Sequence, residues 1–189
     1  MPYRPHLFLV PLDPVDPEII RHLSEAITGL LCLPVKVLPP KPLPPHTHHV
    51  GRNQHHSTKL LEYLLDDDHP EPFLVLGITA VDLYIPIFTF VFGEAQLSGK
   101  AAIISLFRPG GGAGEVRPHK SLFWDRLLKL GVHELGHTLG LGHCRQPGCL
   151  MGFSANLEKL DQKKLVFCEY CRILLADCFK GWSSPPDQE

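Results

Sequence analysis

VHELGHTLGLGHCRQPGCLM, residues 132–151, decides how the rest of the chain is read. His133, Glu134 and His137 stand in the order H-E-x-x-H, Gly140 comes three residues later, and His143 and Cys144 lie just beyond it. Residues four apart share one face of an α-helix, so His133 and His137 can present two imidazoles to one metal ion. Glu134 lies beside that face, where a carboxylate can take a proton from metal-bound water. Gly140 tolerates φ > 0, which lets the helix stop and the chain turn back with His143 as a third ligand. Three histidines with one open position describe a catalytic zinc site, not a closed structural one.

H-E-x-x-H alone recurs by chance. The longer H-E-x-x-H-x-x-G-x-x-H followed by a methionine, here Met151, is far more specific and is similar to the metzincin signature. The plain alternative, a helix that happens to carry histidines, leaves the spacing of Gly140 and His143 unexplained.

The bulk numbers suit such a site. A chain of 189 residues fits one domain, or one domain with two lobes about a cleft, and can bury a real core. Its 44% hydrophobic and 20% charged residues are ordinary for a soluble globular protein. A net charge of −2 and a pI near 6.6 argue against a nucleic-acid binder with a broad basic face. No apolar run approaches the roughly 20 residues that span a bilayer. MPYRPHLFLVPLDP at the N-terminus has too short an apolar stretch to be a signal peptide, so a cytosolic location is the default expectation.

Before the motif, the chain reads as an α/β sheet domain. Leu7–Val10 is a short buried strand ended by Pro11. Asp16 is placed as an N-cap with Pro17 at the first helical position, and Val15 can staple against Ile20. Ile19, Ile20, Leu23, Ile27 and Leu30 recur at helical spacing, and Gly29 suits the helix end. Val35–Leu38 is the next strand, which makes the opening β-α-β, a parallel pair with a right-handed crossover. Pro39–Gln54 lacks hydrophobic period and reads as an extended surface loop. His46, His48, His49, His55 and His56 lack carboxylate or cysteine companions at fixed spacing and are read as solvent-exposed, not as a second metal site.

Ser57 is the expected N-cap of a helix running to Asp66, with Leu60, Leu61, Leu64 and Leu65 inward; Asp66–Asp68 and Pro70 mark its stop. Phe73–Thr79 is the pattern of a central strand buried on both faces. Phe88–Phe92 and Ala101–Phe107 are read as two more strands, with Gly93–Gly99 as the connection between them. Arg108–Gly114 is a flexible loop, and no Gly-Lys-Ser/Thr follows to make it a phosphate cradle. Residues 121–139 form the helix that carries the motif, with Leu128, Val132, Leu135 and Leu139 on its core face and both histidines turned away. Phe153–Asn156 begin a loop, and Phe167–Phe179 form the last helix.

Six cysteines in a chain expected in the cytosol favour metal ligands over disulfides. Cys144, Cys149, Cys168 and Cys171 read as C-x4-C and C-x-x-C, the closed tetrahedral set of a structural zinc. A redox reading of Cys168–Cys171 lacks its βαβ context. Since Cys144 follows His143 directly, the structural metal is expected to steady the third catalytic ligand. Cys32 and Cys178 are read as buried small hydrophobes.

HELGHTLGLGHC at 133–144, RQPGC at 145–149, Met151, CEYC at 168–171, Phe153–Ser154 and the upstream text GIT…DLY…FVFGEA together resemble the archaemetzincins, a family of metzincin metallopeptidases. The resemblance covers most of the chain from about Arg52. It implies His133, His137 and His143 as zinc ligands, Glu134 as general base and acid, and Met151 as an apolar floor under the zinc. Cys144, Cys149, Cys168 and Cys171 would hold the second zinc. No tyrosine follows Met151 closely, so no tyrosine ligand is expected.

The implied fold is a twisted, mostly parallel five-stranded sheet with one antiparallel edge strand, assigned to Phe88–Phe92, backed by helices. A small C-terminal lobe is stapled by the structural zinc. Residues 1–189 would then be a single metallopeptidase domain, with lobes 1–140 and 141–189.

The function expected is zinc-dependent hydrolysis of peptide bonds. Water bound to a zinc held by three histidines is deprotonated by Glu134, with a peptide or protein as substrate and the chain acting as a monomer. The rival is a two-zinc binding or regulatory protein of the same fold with little or latent turnover, for which Arg108–Gly114 and the His-rich loop are the candidate blocking segments. A small-molecule hydrolase is the third option.

Overall fold

Leu7–Val10, apolar at every position, forms the middle of the first strand, and its even and odd residues pack into different clusters. Leu7 and Leu9 join one core, while Phe8 and Val10 join another. The same split recurs between Leu74, Leu76 and Ile78 and their neighbours Phe73 and Val75, and between Ala102 and Ile104 and their neighbours Ala101 and Ile103. These strands are apolar throughout because the sheet is covered on both faces.

A computed structural model describes residues 5–67 and 73–181. In chain order these form β1 (His6–Leu12), α1 (Pro17–Leu31), β2 (Val35–Val37), β3 (His48–His49), β4 (Gln54–His56), α2 (Ser57–Leu64), β5 (Phe73–Thr79), β6 (Leu83–Tyr84), β7 (Gly93–Ala95), β8 (Ala101–Ser105), α3 (Lys120–Thr138), α4 (Leu157–Asp161) and α5 (Glu169–Gly181). The five-stranded sheet runs β2-β1-β5-β8-β7. All its pairings are parallel except β7 with β8. Helices α1 and α3 cover one face through Leu23, Ile27, Leu127 and Leu135, and α2 covers the other through Leu60, Leu61 and Leu64. No helix among the described residues is long and apolar enough to cross a membrane.

Several local expectations are corrected. Pro11 does not end β1, which continues to Leu12. The Pro11 carbonyl accepts from Lys41 N, so the proline nitrogen faces the β2 side and the ladder to β5 is intact. Helix α1 is capped by Asp16, whose side chain accepts from Glu18 N, but it passes Gly29 and ends with Cys32 at φ 51. Cys32 is exposed, not buried; Cys178 is half-buried.

Pro39–Gln54 is not one extended loop. It contains a 3-10 turn at Pro45–Thr47 and strand β3, which pairs antiparallel with β4; β4 pairs parallel with β6. His46, His48 and His49 are exposed, but His55 and His56 are half-buried in this small sheet. Ser57 is the first residue of α2, not its cap, and α2 stops at Leu64. Asp68 and Pro70 lie outside the described residues, as do residues 1–4 of the N-terminal stretch.

The largest correction concerns Phe88–Phe92, which is not the edge strand. The edge strand is β7, within the stretch read as a connection. The main chain before β7 is held by side chains: Arg52 donates to the carbonyls of Phe88 and Thr89, and Gln54 donates to Thr89 O. Phe92 is buried in the core, and Phe90 packs against it. Helix α4 has no counterpart among the elements expected from sequence; Asn156 caps it by accepting from Lys159 N.

Candidate metal centres

Helix α3 places the motif because its other side is committed to the core. Val132, Leu135 and Leu139 are buried there, and Gly131 faces Leu76, Ile27 and Ile104. His133 and His137, one turn apart, therefore face away, into a cleft of about 430 Å³. The helix ends where Gly140 adopts φ 85, with Gly140 N donating to His137 O and Leu141 N to Gly136 O. The chain then turns back and brings His143 to the pair. The three ligand atoms lie within 4.8 Å of one another.

Hydrogen bonds fix which nitrogens are free. His133 Nδ1 lies 2.8 Å from Leu150 O, and His137 Nδ1 lies 2.7 Å from Leu141 O. A carbonyl only accepts, so both Nδ1 atoms carry hydrogen and both Nε2 atoms present lone pairs. Those two Nε2 atoms are 3.2 Å apart. Burial keeps the rings neutral: it pushes His133 down to about 3 and also lowers His137 and His143. Two bare lone pairs face to face repel unless a Lewis acid lies between them, and Zn–N bonds of about 2.0–2.1 Å would put tetrahedral ligands roughly 3.3 Å apart. The donor set fits zinc.

Glu134 is buried beside these rings. Burial, then the nearby Glu94 carboxylate, push it up to about 8. Its side chain lies against the main chain of β7: a Cβ on Gly93 would stand 2.8 Å from Glu134 Cγ. Glu94, on the same strand, is held by Ser57 Oγ and by Thr58 Oγ1 at 2.8 Å. Met151 is fully buried beneath α3, and a Cβ on Gly136 would meet its sulfur at 2.5 Å.

The four cysteines also converge, with their sulfurs within 4.8 Å of one another. Cys144 Sγ is 3.7 Å from Cys168 Sγ, and Cys149 Sγ is 3.8 Å from Cys171 Sγ. Tetrahedral zinc with bonds of about 2.3 Å has ligand–ligand edges of roughly 3.8 Å, so this set fits as well. The two clusters are joined by main chain. Cys144 N donates to Met151 O, and Leu150 O, the partner of His133, sits between Cys149 and Met151.

Every residue singled out for a site in the sequence thus falls in one of the two clusters or against it. Glu94, Ser154 and Lys163 also line the cleft. Glu94 and Ser154 stand in text that resembles the family but carry no predicted role, and nothing in the sequence marks Lys163. Neither Arg108–Gly114 nor the His-rich segment is among the described residues lining the cleft.

A mixed α/β sheet whose long helix offers H-E-x-x-H to a third histidine beyond its end is built as a zinc metallopeptidase. The model of peptidase family M54 matches residues 57–177. An archaemetzincin of Methanocaldococcus jannaschii is 35% identical over 167 residues, 88% of this chain and 90% of that protein. The crystal structure of the Methanopyrus kandleri archaemetzincin has a TM-score of 0.81 and 35% identity, covering 94% of this chain and 97% of that one. That of the Archaeoglobus fulgidus archaemetzincin, complexed with malonate, has a TM-score of 0.78 and 31% identity, covering 89% and 99%. The chain belongs to the archaemetzincin family of metallopeptidases.

Proposed function

We propose that His133, His137 and His143 hold a catalytic zinc, that Glu134 is the general base and acid of peptide-bond hydrolysis, and that Cys144, Cys149, Cys168 and Cys171 hold a second, structural zinc. The observation that carries this is the pair of bare Nε2 atoms 3.2 Å apart beside a buried carboxylate. When bound, the catalytic zinc supplies a Lewis acid that polarises a carbonyl and acidifies water. Glu134 takes the proton of the attacking water and delivers it to the leaving amine. Gly93 gives the carboxylate room to move between these positions. Met151 is the apolar floor that sets the height of the histidine-bearing turn.

An extended peptide lies along β7, whose outer side is the edge of the sheet, and pairs main chain to main chain there. Ile85, Phe88, Phe92 and Phe153 give the cleft apolar walls and help to exclude water. Residues 1–140 and 141–189 act as two lobes of one metallopeptidase domain.

Digestion of a mixed peptide library, followed by mass spectrometry, tests the reading. The zinc-loaded protein is expected to release products, the chelated protein none, and zinc re-addition to restore them. Cleavage indifferent to chelation overturns it. Two bound zinc ions with no cleavage of any peptide would point instead to a binding or regulatory role.

A further inference from the structure

Two hydrogen-bond donors in the cleft have no part in the chemistry above. Lys163, between α4 and α5, is half-buried and lines the same cleft as Glu134. An ammonium has three N–H donors, and the carbonyls of Leu150 and Gly152 take two. Among the described residues no carboxylate lies within ion-pair distance of its Nζ. Ser154, two residues beyond Gly152, also lines the cleft, and its Oγ is buried without a partner among the described residues. Both donors thus stand on the segment that follows Met151. The cleft's carboxyl side chains are Glu94 and Glu134, and the Glu94 oxygens are engaged by Ser57 and Thr58.

We propose that Lys163 and Ser154 form a carboxylate-receiving subsite, so that this enzyme prefers peptides carrying an anionic group beside the apolar residues its phenylalanines hold. The inference rests on the peptidase reading of the cleft. A partly desolvated ammonium against apolar walls gains most from a charged partner. A carboxylate also offers two oxygens to two donors, whereas an amide carbonyl offers one and no charge. Glu134 attracts the ammonium at longer range and partly offsets its field, but it makes no direct ion pair with it. The anion can be a C-terminal carboxylate or an acidic side chain, and both present the same chemistry.

Fluorescence polarisation on zinc-loaded Glu134→Gln protein, which leaves peptides intact, reads binding without turnover. Three labelled apolar pentapeptides are compared: a free acid, its C-terminal amide, and an amide with one Glu. At least one anionic peptide is expected to bind about 10-fold more tightly than the neutral amide, the worth of one charge-assisted hydrogen bond. Which one does so identifies the source of the carboxylate. Adding Lys163→Met should erase the preference, Lys163→Arg should keep most of it, and Ser154→Ala should reduce it severalfold. Circular dichroism checks that each variant folds; should Lys163→Met unfold, the arginine and alanine variants decide. Equal binding of all three peptides, no binding of any, or a preference unchanged by the Lys163 and Ser154 variants overturns the subsite. A wild-type protein that cleaves nothing would sink the peptidase reading while leaving this preference measurable.

Discussion

Gly93 stands where any side chain would press on Glu134 and on the carbonyl of Ile103, whose oxygen lies 2.6 Å from the position of an added Cβ. Gly93→Ala should therefore lower kcat by about 100-fold, the usual effect of displacing a catalytic group by roughly 1 Å, while zinc content measured by mass spectrometry is unchanged. Zinc loss in that variant would mean that Gly93 supports the ligands and not the base. Gly136 is the matching position under the helix, where an added methyl group collides with the Met151 sulfur. Glu134 and the three histidines are legible in the sequence because helical periodicity and one glycine turn fix their relation locally. The roles of Gly93, Glu94 and Lys163 are not, because each meets the site only through contacts 29 to 41 residues away from Glu134 along the chain.

At the scale of elements, α4 is held by the buried side chains of Leu157 and Leu160 and by one ion pair. Arg126, buried on α3, donates two bonds of 2.7 Å to the Asp161 carboxylate and a third to Pro109 O. Asp161→Ala leaves that guanidinium buried without its carboxylate, and should cost about 3 kcal/mol, read by denaturant unfolding. A change below roughly 0.5 kcal/mol would show that water replaces the carboxylate. The histidine and cysteine clusters are linked instead by main chain, and this link is expected to couple them. Cys149→Ser is expected to release the structural zinc and, through the Cys144–Met151 hydrogen bond, to weaken zinc at the histidines about 10-fold or more, measured by chelator competition. Unchanged affinity at the histidines would separate the two sites.

The elements most legible in the sequence, β5, α1 and α3, have long apolar patterns. Those it misplaces have physical reasons. Phe88–Phe92 alternates like a strand, but Arg52 and Gln54 take the carbonyls of Phe88 and Thr89, and α4 is too short for helical periodicity to show. The α/β class is legible from the apolar patterns and the cysteine quartet from its spacing. The antiparallel edge is expected only through the resemblance, and the three-stranded β3-β4-β6 sheet depends on a parallel pairing across some 28 residues.

For the whole molecule, the sheet and its covering helices share a large apolar core, whereas the cluster around Leu141, Cys149, Met151 and Cys171 is small, so the C-terminal segment is expected to depend on metal at the cysteines. Zinc at 100 times its Kd stabilises the fold by roughly 3 kcal/mol, so chelation should lower Tm by about 10 °C, seen in calorimetry. A Tm indifferent to chelation would mean that the C-terminal lobe holds itself together. The most direct test of the whole is Glu134→Ala. Zinc content and Tm should match the wild type while hydrolysis of library peptides disappears. Full activity in that variant would contradict Glu134 as the base, and with it the assignment of this cleft as the catalytic centre.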